Sequence, residues 1–284
     1  MSDDITEAPF TLRDGLNVAL YDWPLPLRQR PRAVVLIVHG LGEHAWRYDP
    51  LAERLNQWGF AVRGYDQRGH GDSGGARGVL PGDDALMDDL YEVLEDTRRQ
   101  IARPWSCPLI LLGHSMGGLL AATWVLRGST PVDALVLSSP ALDAGLGAFQ
   151  KRLISLLHRW APNLTLSNGL DPQQISHDPD VVAAYRKDSR VHDRISARLA
   201  HFIAANGPAV VAAAPQWNVP TLLLYAGADR LVRPEGSRAF AAMAPRAVVR
   251  SQCLQGQFHE IFNESDPSLA FGALKTWLDD LVPA

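Results

Sequence analysis

The residues of this chain best suited to covalent chemistry are Gly113-His114-Ser115-Met116-Gly117, a serine with glycine two places to either side. The continuous apolar run Leu109-Ile110-Leu111-Leu112 precedes them, and a helix-forming stretch from Leu119 to Leu126 follows. Strand, tight turn with a serine, then helix is the arrangement of a nucleophile elbow. Such a turn is so tight that its flanking positions can barely carry side chains, and glycine meets that demand at both. The hydroxyl is thereby lifted to a helix N-terminus, where free N–H groups and the helix dipole favour an oxyanion.

A serine hydroxyl is a weak nucleophile at its own pKa and needs an adjacent base, itself oriented by a third group. Loops at the C-terminal ends of later strands are where such groups are expected. Asp229 follows the apolar run Thr221–Tyr225 in Gly227-Ala228-Asp229-Arg230, and His259 follows Val248–Leu254 in Gly256-Gln257-Phe258-His259-Glu260. Asp143, just past the preceding strand, is the rival for the acid. An oxyanion needs two backbone donors. The expected pair is the N–H of Met116, next to the nucleophile, and that of Leu41 in His39-Gly40-Leu41-Gly42. His39 is read as holding that loop. His114 is read as a packed, hydrogen-bonded histidine with its ring turned away from the hydroxyl. Proton transfer through His259 makes activity rise with pH near pH ~6–7 if its pKa is ordinary.

Positioning these groups calls for a parallel sheet. Buried strands are expected at Ala33–Val38, Phe60–Tyr65, 109–112, Ala134–Leu137, Thr221–Tyr225 and Val248–Leu254. Between them the pattern predicts helices at Trp46–Gln57, at Asp84–Ile101 with apolar residues at helical spacing, after the elbow, and at Pro267–Leu281. Phe10–Leu12 and Asn17–Trp23 read as an antiparallel pair about Asp14-Gly15, and Pro24–Pro31 as a surface connection. Arg68–Ser73 is glycine-rich but lacks the Lys-Ser/Thr of a phosphate loop, so it reads as a tight post-strand loop. Between Asp143 and Trp217 no buried strand is visible, only helical segments at Phe149–Trp160, Pro179–Lys187 and Arg194–Ala214. The expected organisation is a core of residues 1–142 and 218–284 with a helical cap, 143–217, inserted after the strand at Ala134–Leu137.

Composition narrows the classes. With 284 residues, 46% apolar content and a formal net charge of −4, the chain reads as a globular protein with no basic stripe for nucleic acid. The acidic start, Met1 to Glu7, has no apolar segment of a signal peptide, and no run of eighteen apolar residues exists. Two cysteines, Cys107 and Cys253, fit a reducing, cytoplasmic compartment. The nine histidines form no metal-binding motif, so neither metal nor cofactor is expected. An elbow serine rather than aspartate disfavours epoxide hydrolase and dehalogenase chemistry.

His39-Gly40-Leu41-Gly42-Glu43-His44 with Arg47-Tyr48, then Asp66–Ser73, Gly113–Gly118, Pro162–Leu166, Gly227–Leu231 and His259-Glu260 fall in a telling order. Together they resemble the monoacylglycerol lipase and lysophospholipase branch of the α/β hydrolases, over nearly the whole chain. The resemblance implies an α/β-hydrolase fold with a mostly parallel sheet, helices on both faces and a helical cap. It implies hydrolysis of a single acyl chain from a glycerol-type or similar small ester, with Ser115, Asp229 and His259 as the triad. It implies also that Glu43 and Arg47 lie near the head-group pocket and that Tyr185 belongs to the cap. Animal members carry a glycerol-binding histidine three residues after the catalytic one, whereas this chain has Phe262, expected to close that site. A broad-range carboxylesterase on short esters, and a ligand-sensing relative without turnover, are the other readings. The cap stretch Phe149–Trp160 has apolar residues on one side and Lys151, Arg152, His158 and Arg159 beside them. It reads as a helix packed over an acyl pocket, with contact to a membrane or micelle as the alternative.

Overall fold

Uninterrupted runs of leucine and β-branched residues belong in strands covered on both faces, and they build the middle of this molecule. The computed structural model describes residues 6–128 and 130–283, so the first five residues of the acidic start lie outside the described residues. The strands are β1 (Thr6–Thr11), β2 (Asn17–Trp23), β3 (Val34–Val38), β4 (Ala61–Tyr65), β5 (Leu109–His114), β6 (Ala134–Ser138), β7 (Thr165–Ser167), β8 (Arg194–Ser196), β9 (Thr221–Ala226) and β10 (Val249–Leu254). Eight of them form one sheet in the order β1-β2-β4-β3-β5-β6-β9-β10. The β1–β2 and β2–β4 pairs are antiparallel and every later pair of this sheet is parallel, so the C-terminal ends of β3, β4, β5, β6, β9 and β10 open onto one edge. Every residue of β3, β4, β5, β6 and β9 is buried.

The helices are α1 (Asp49–Gln57), α2 (Ala85–Thr97), the single turn α3 (Arg103–Trp105), α4 (Ser115–Arg127), α5 (Ala148–Trp160), α6 (Pro179–Lys187), α7 (Ala197–Ala213), α8 (Pro234–Met243) and α9 (Ser268–Leu281). Alternate strand residues feed two apolar layers, as a period of two requires. Val34, Leu36, Leu111 and Leu135 pack with Leu90 of α2, Leu119 of α4, Val210 of α7 and Phe240 of α8. Val35, Ile37, Leu112 and Val136 pack with Leu55 of α1 and Leu274 and Trp277 of α9.

Several elements differ from expectation for local reasons. Trp46–Gln57 is a 3₁₀ turn, Ala45–Tyr48, followed by α1, because Pro50 suits only a helix's first turn. The helix expected to end at Ile101 continues through a π turn at Arg98–Ala102 into α3 and stops at Ser106, which has φ +48°. Arg194–Ser196 is not helix but the strand β8, antiparallel to β7, so the inserted segment is not wholly helical. There Ser196 accepts the Leu199 N–H as an N-cap, which starts α7 at Ala197. The α8 helix, with proline in its first turn, has no counterpart in the sequence reading.

The segment between β6 and β9 is anchored unevenly. In α7, Leu199, Phe202 and Val210 join the main apolar layer, and a Cβ on Gly207 would lie 2.5 Å from the Leu142 carbonyl oxygen. In α5, by contrast, no residue is buried. Among the described residues no helix is long and apolar enough to cross a membrane.

Candidate active site

The sequence of the elbow explains its geometry. Ser115 joins β5 directly to α4 and has φ +52°, a left-handed conformation rare for a residue with a side chain. A Cβ on Gly113 would lie 2.4 Å from the Gly117 carbonyl oxygen, and one on Gly117 would lie 2.2 Å from that of Val38. Only glycine permits strand and helix to cross so closely. Met116 stands in the first turn of α4, where backbone N–H groups lack an intrahelical partner.

His259 and Asp229 meet across the loops after β10 and β9. His259 Nδ1 lies 2.7 Å from Asp229 Oδ2, with both side chains buried. The other carboxylate oxygen, Oδ1, accepts the N–H groups of Leu231 (2.9 Å) and Val232 (3.0 Å). The imidazole therefore donates from Nδ1, which leaves Nε2 as the proton acceptor. Burial acts to lower the His259 pKa, but the Asp229 charge and hydrogen bond, with Glu260 and Glu43 behind them, outweigh it and raise the pKa above its ordinary value. Burial acts to raise Asp229, and His259 together with the two amides overcomes it to hold the carboxyl low. Asp143, the rival acid, instead accepts the Gly145 N–H at 2.8 Å within its own turn.

The loop after β3 is pinned from within. The Gln67 N–H donates to His39 Nε2 at 2.9 Å, so the proton of His39 resides on Nδ1, which donates to the Gly40 carbonyl at 2.7 Å. In a trans peptide the carbonyl and the following N–H point opposite ways, so fixing the Gly40 carbonyl also fixes the direction of the Leu41 N–H. Gly40 N–H donates to Glu43 Oε1 at 2.6 Å, and a Cβ on Gly40 would stand 3.1 Å from that of Ser115. The loop after β3 and Ser115 are thus held against each other by a histidine, a carboxylate and a missing side chain.

Two pockets meet at Ser115, Leu41, Leu170 and Leu231. One is a cavity of about 430 Å³ walled by Leu153 and Leu157 of α5, Leu166 of β7, Ile203 of α7 and Val232. The other holds only about 30 Å³, roughly the share of one water, and is lined by His114, Glu43, Asp171, Tyr185, His259 and Glu260 among others. Behind it, Arg47 bonds Glu43 at 2.7 Å and Glu260 through two contacts of 2.6 and 2.8 Å, while the Tyr185 ring covers its face at 4.7 Å. Tyr48 donates to Glu43 at 2.7 Å. Burial acts to raise Glu43, but the Arg47 charge leads the groups that hold it down, to about 2.

A family model described as Hydrolase_4, serine aminopeptidase S33, matches residues 29–266. The chain belongs to that family. Within it, the chain falls in the monoacylglycerol lipase branch of the α/β hydrolases and is a serine carboxylic ester hydrolase. It is 34% identical over 256 residues to a monoacylglycerol lipase of Mycolicibacterium smegmatis, covering 87% of this chain and 88% of that one. It is 31% identical over 260 residues to phospholipase YtpA of Bacillus subtilis, covering 89% and 97%. The crystal structure of a monoacylglycerol lipase from Paleococcus ferrophilus superposes with a TM-score of 0.82 at 34% identity, covering 94% of this chain and 99% of that one.

Against that background two residues of this hydrolase differ from the sequence reading. Phe262 lines neither pocket: it is buried in the α1–α9 apolar layer, 5.2 Å from the ring of Phe271. Its aromatic ring gains more from that layer than from a polar pocket wall. His114 is packed and hydrogen-bonded, with Nδ1 3.0 Å from Ser138 Oγ, but its ring is not turned away from the site. It lines the small pocket beside Ser115, 4.6 Å from the His259 ring. Burial and the neighbouring His259 push its pKa down to about 4. The signal was available in register, since His114 pairs with Ser138 across β5 and β6. Glu260 is the residue that site reasoning passed over, although it adjoins His259 in sequence.

Proposed function

We propose that this hydrolase releases the fatty acid from monoacylglycerol or a similar single-chain lipid ester through an acyl-enzyme. The observation that carries the reading is the pair of unlike pockets meeting at one serine, a larger and mainly apolar cavity and a small one bordered by carboxylates. An acyl chain matches the first in size and lining, and the hydroxyls of an alcohol match the polar groups of the second. In this reading Ser115 attacks the carbonyl while His259 Nε2 takes its proton. The Leu41 and Met116 N–H groups stabilise the oxyanion. Asp229 fixes the imidazole tautomer and stabilises the imidazolium. His259 then protonates the leaving alcohol, and in the second half it activates the water that frees the acid. Glu43 and Arg47 shape the alcohol pocket, and Tyr185 covers it. At about 430 Å³ the larger cavity well exceeds the roughly 150 Å³ apolar cavity that holds a benzene ring, as an acyl chain requires.

Residues 143–217 serve in this reading as a cap over the core of 1–142 and 218–284. Contact of the cap with a lipid surface is supported by α5, where Phe149 and Trp160 are 79% and 74% exposed beside Lys151, Arg152 and Arg159. A cytoplasmic location fits the free thiols of Cys107 and Cys253. The test is hydrolysis of 1-monoacylglycerols from C8 to C18 beside nitrophenyl esters of C2 to C12, by wild type and Ser115→Ala. Preference for the long monoacylglycerols, lost in the variant, is the expected result. Fast turnover confined to short nitrophenyl esters would instead make this a general esterase, and absence of Ser115-dependent turnover would leave a binding protein.

A further inference from the structure

The two pockets differ in charge as well as in size. The small one is lined by the carboxylates of Glu43, Asp171 and Glu260, and among the described residues no lysine or arginine lines it. Arg47 does not compensate for an incoming anion. Its Nη1 is shared between Glu43 and Glu260, its Nη2 is held by Glu260, and its face is covered by Tyr185. His114, the other basic side chain beside His259, is uncharged at neutral pH. An alcohol entering here meets surplus negative charge, with Glu43 and Glu260 buried and Asp171 at the exposed rim, and buried charge acts more strongly than charge in bulk water.

We infer that the pocket sorts esters by the charge of their alcohol: neutral and cationic alcohols are accepted, and alcohols bearing a carboxylate or phosphate are rejected. The inference rests on the assignment of this pocket to the leaving alcohol. It makes a single-chain phospholipid with an anionic head group a poor substrate, even where its acyl chain fits the large cavity. Size alone does not predict that outcome, because a pocket of about 30 Å³ must open for any alcohol. Charge has to be separated from shape.

Isosteric pairs separate them. The amide 3-(octanoyloxy)propanamide and the carboxylate 3-(octanoyloxy)propanoate differ on the alcohol side chiefly in charge, as do octanoylcholine and 3,3-dimethylbutyl octanoate. We would measure kcat/KM for all four on the full chain at pH 7, with Ser115→Ala as blank. The amide should exceed the carboxylate by about 100-fold, the effect of one uncompensated unit charge roughly 6 Å away at an effective dielectric of about 20. The choline ester should exceed its neutral isostere several-fold. In Asp171→Asn the amide-to-carboxylate ratio should narrow several-fold. That ratio is taken within one protein sample, so partial misfolding of the variant cancels. Amide and carboxylate within threefold in wild type would overturn charge sorting while leaving the ester hydrolase reading intact. A choline ester slower than its isostere would also overturn it. Loss of Ser115-dependent turnover on the neutral esters would overturn both.

Discussion

The two sides of Ser115 are built on opposite principles. On the cavity side, leucines and isoleucines from α5, β7 and α7 make an apolar wall with no fixed geometry to offer a substrate. On the other side, Gly40, Glu43, Arg47, Tyr48 and Glu260 form one continuous hydrogen-bonded unit in which each named bond is 2.6 to 2.8 Å. The first discriminates by length and tolerates variation, since hydrophobic attraction is non-directional. The second is over-determined, and the same carboxylate that borders the alcohol pocket also holds the loop carrying the Leu41 N–H. On the proposed assignment of the two pockets, acyl preference is cheap to change, whereas altering the alcohol preference disturbs the loop that carries the Leu41 N–H.

The largest effect should come where the two sides meet. Ser115→Ala should lower kcat by about 10⁶-fold, by analogy with triads that act as a unit, on long and short esters alike. A residual rate that differed between substrate classes would break the idea of one shared nucleophile. Next is the hub of the rigid side. Glu43→Leu leaves Arg47 paired with Glu260 alone and deprives the Gly40 amide and the Tyr48 hydroxyl of their acceptor, and losing buried hydrogen bonds to a charged group costs about 1.5–3 kcal/mol. Chemical denaturation should register that loss, and a change below ~1 kcal/mol would mean the unit is no more than a surface-like pair.

On the adaptable side the effect is smaller and selective. Leu157→Trp intrudes on the cavity and should reduce kcat/KM for a C16 monoacylglycerol by about 10- to 100-fold, an overpacking cost of ~1–3 kcal/mol, with C8 nearly unaffected. Equal losses for both lengths would deny the cavity its role. The smallest effect is electrostatic. His259 must be unprotonated to act, and its pKa is raised, so the acid limb of kcat/KM should lie above the ordinary histidine value and fall tenfold per unit below it. Glu260→Gln removes one of the charges that raise it, so the limb should move to lower pH. A limb that stays in place would uncouple the rigid side from the base.

What was legible in the sequence follows from the range over which each signal acts. The elbow shows because two glycines, a serine and an apolar strand lie within nine residues, and each answers a local steric demand. The positions of Asp229 and His259 show because strand ends are legible and parallel topology gathers them on one edge. The network around Arg47 was opaque, since its contact with Glu260 joins residues 213 apart in sequence. No periodicity reports such a pairing. The strands β7 and β8 are three residues each, too short to carry a hydrophobic alternation that could be read. Phe262 was located correctly along the chain and misjudged in direction, because resemblance supplies a position without its side-chain orientation.

The crowding at Gly113 and Gly117 has a consequence for how sequence change is tolerated at this turn. A side chain at Gly117 collides with the backbone of β3, so damage there is damage to the sheet before it is damage to the reaction. In a saturation library sorted first for soluble yield and then for turnover, substitutions at both glycines should drop out at the first sort. Ser115 should survive it in many identities and fail only at the second. The codons around the nucleophile would therefore separate into a pair that keeps the protein in the population and a single one that gives it a use.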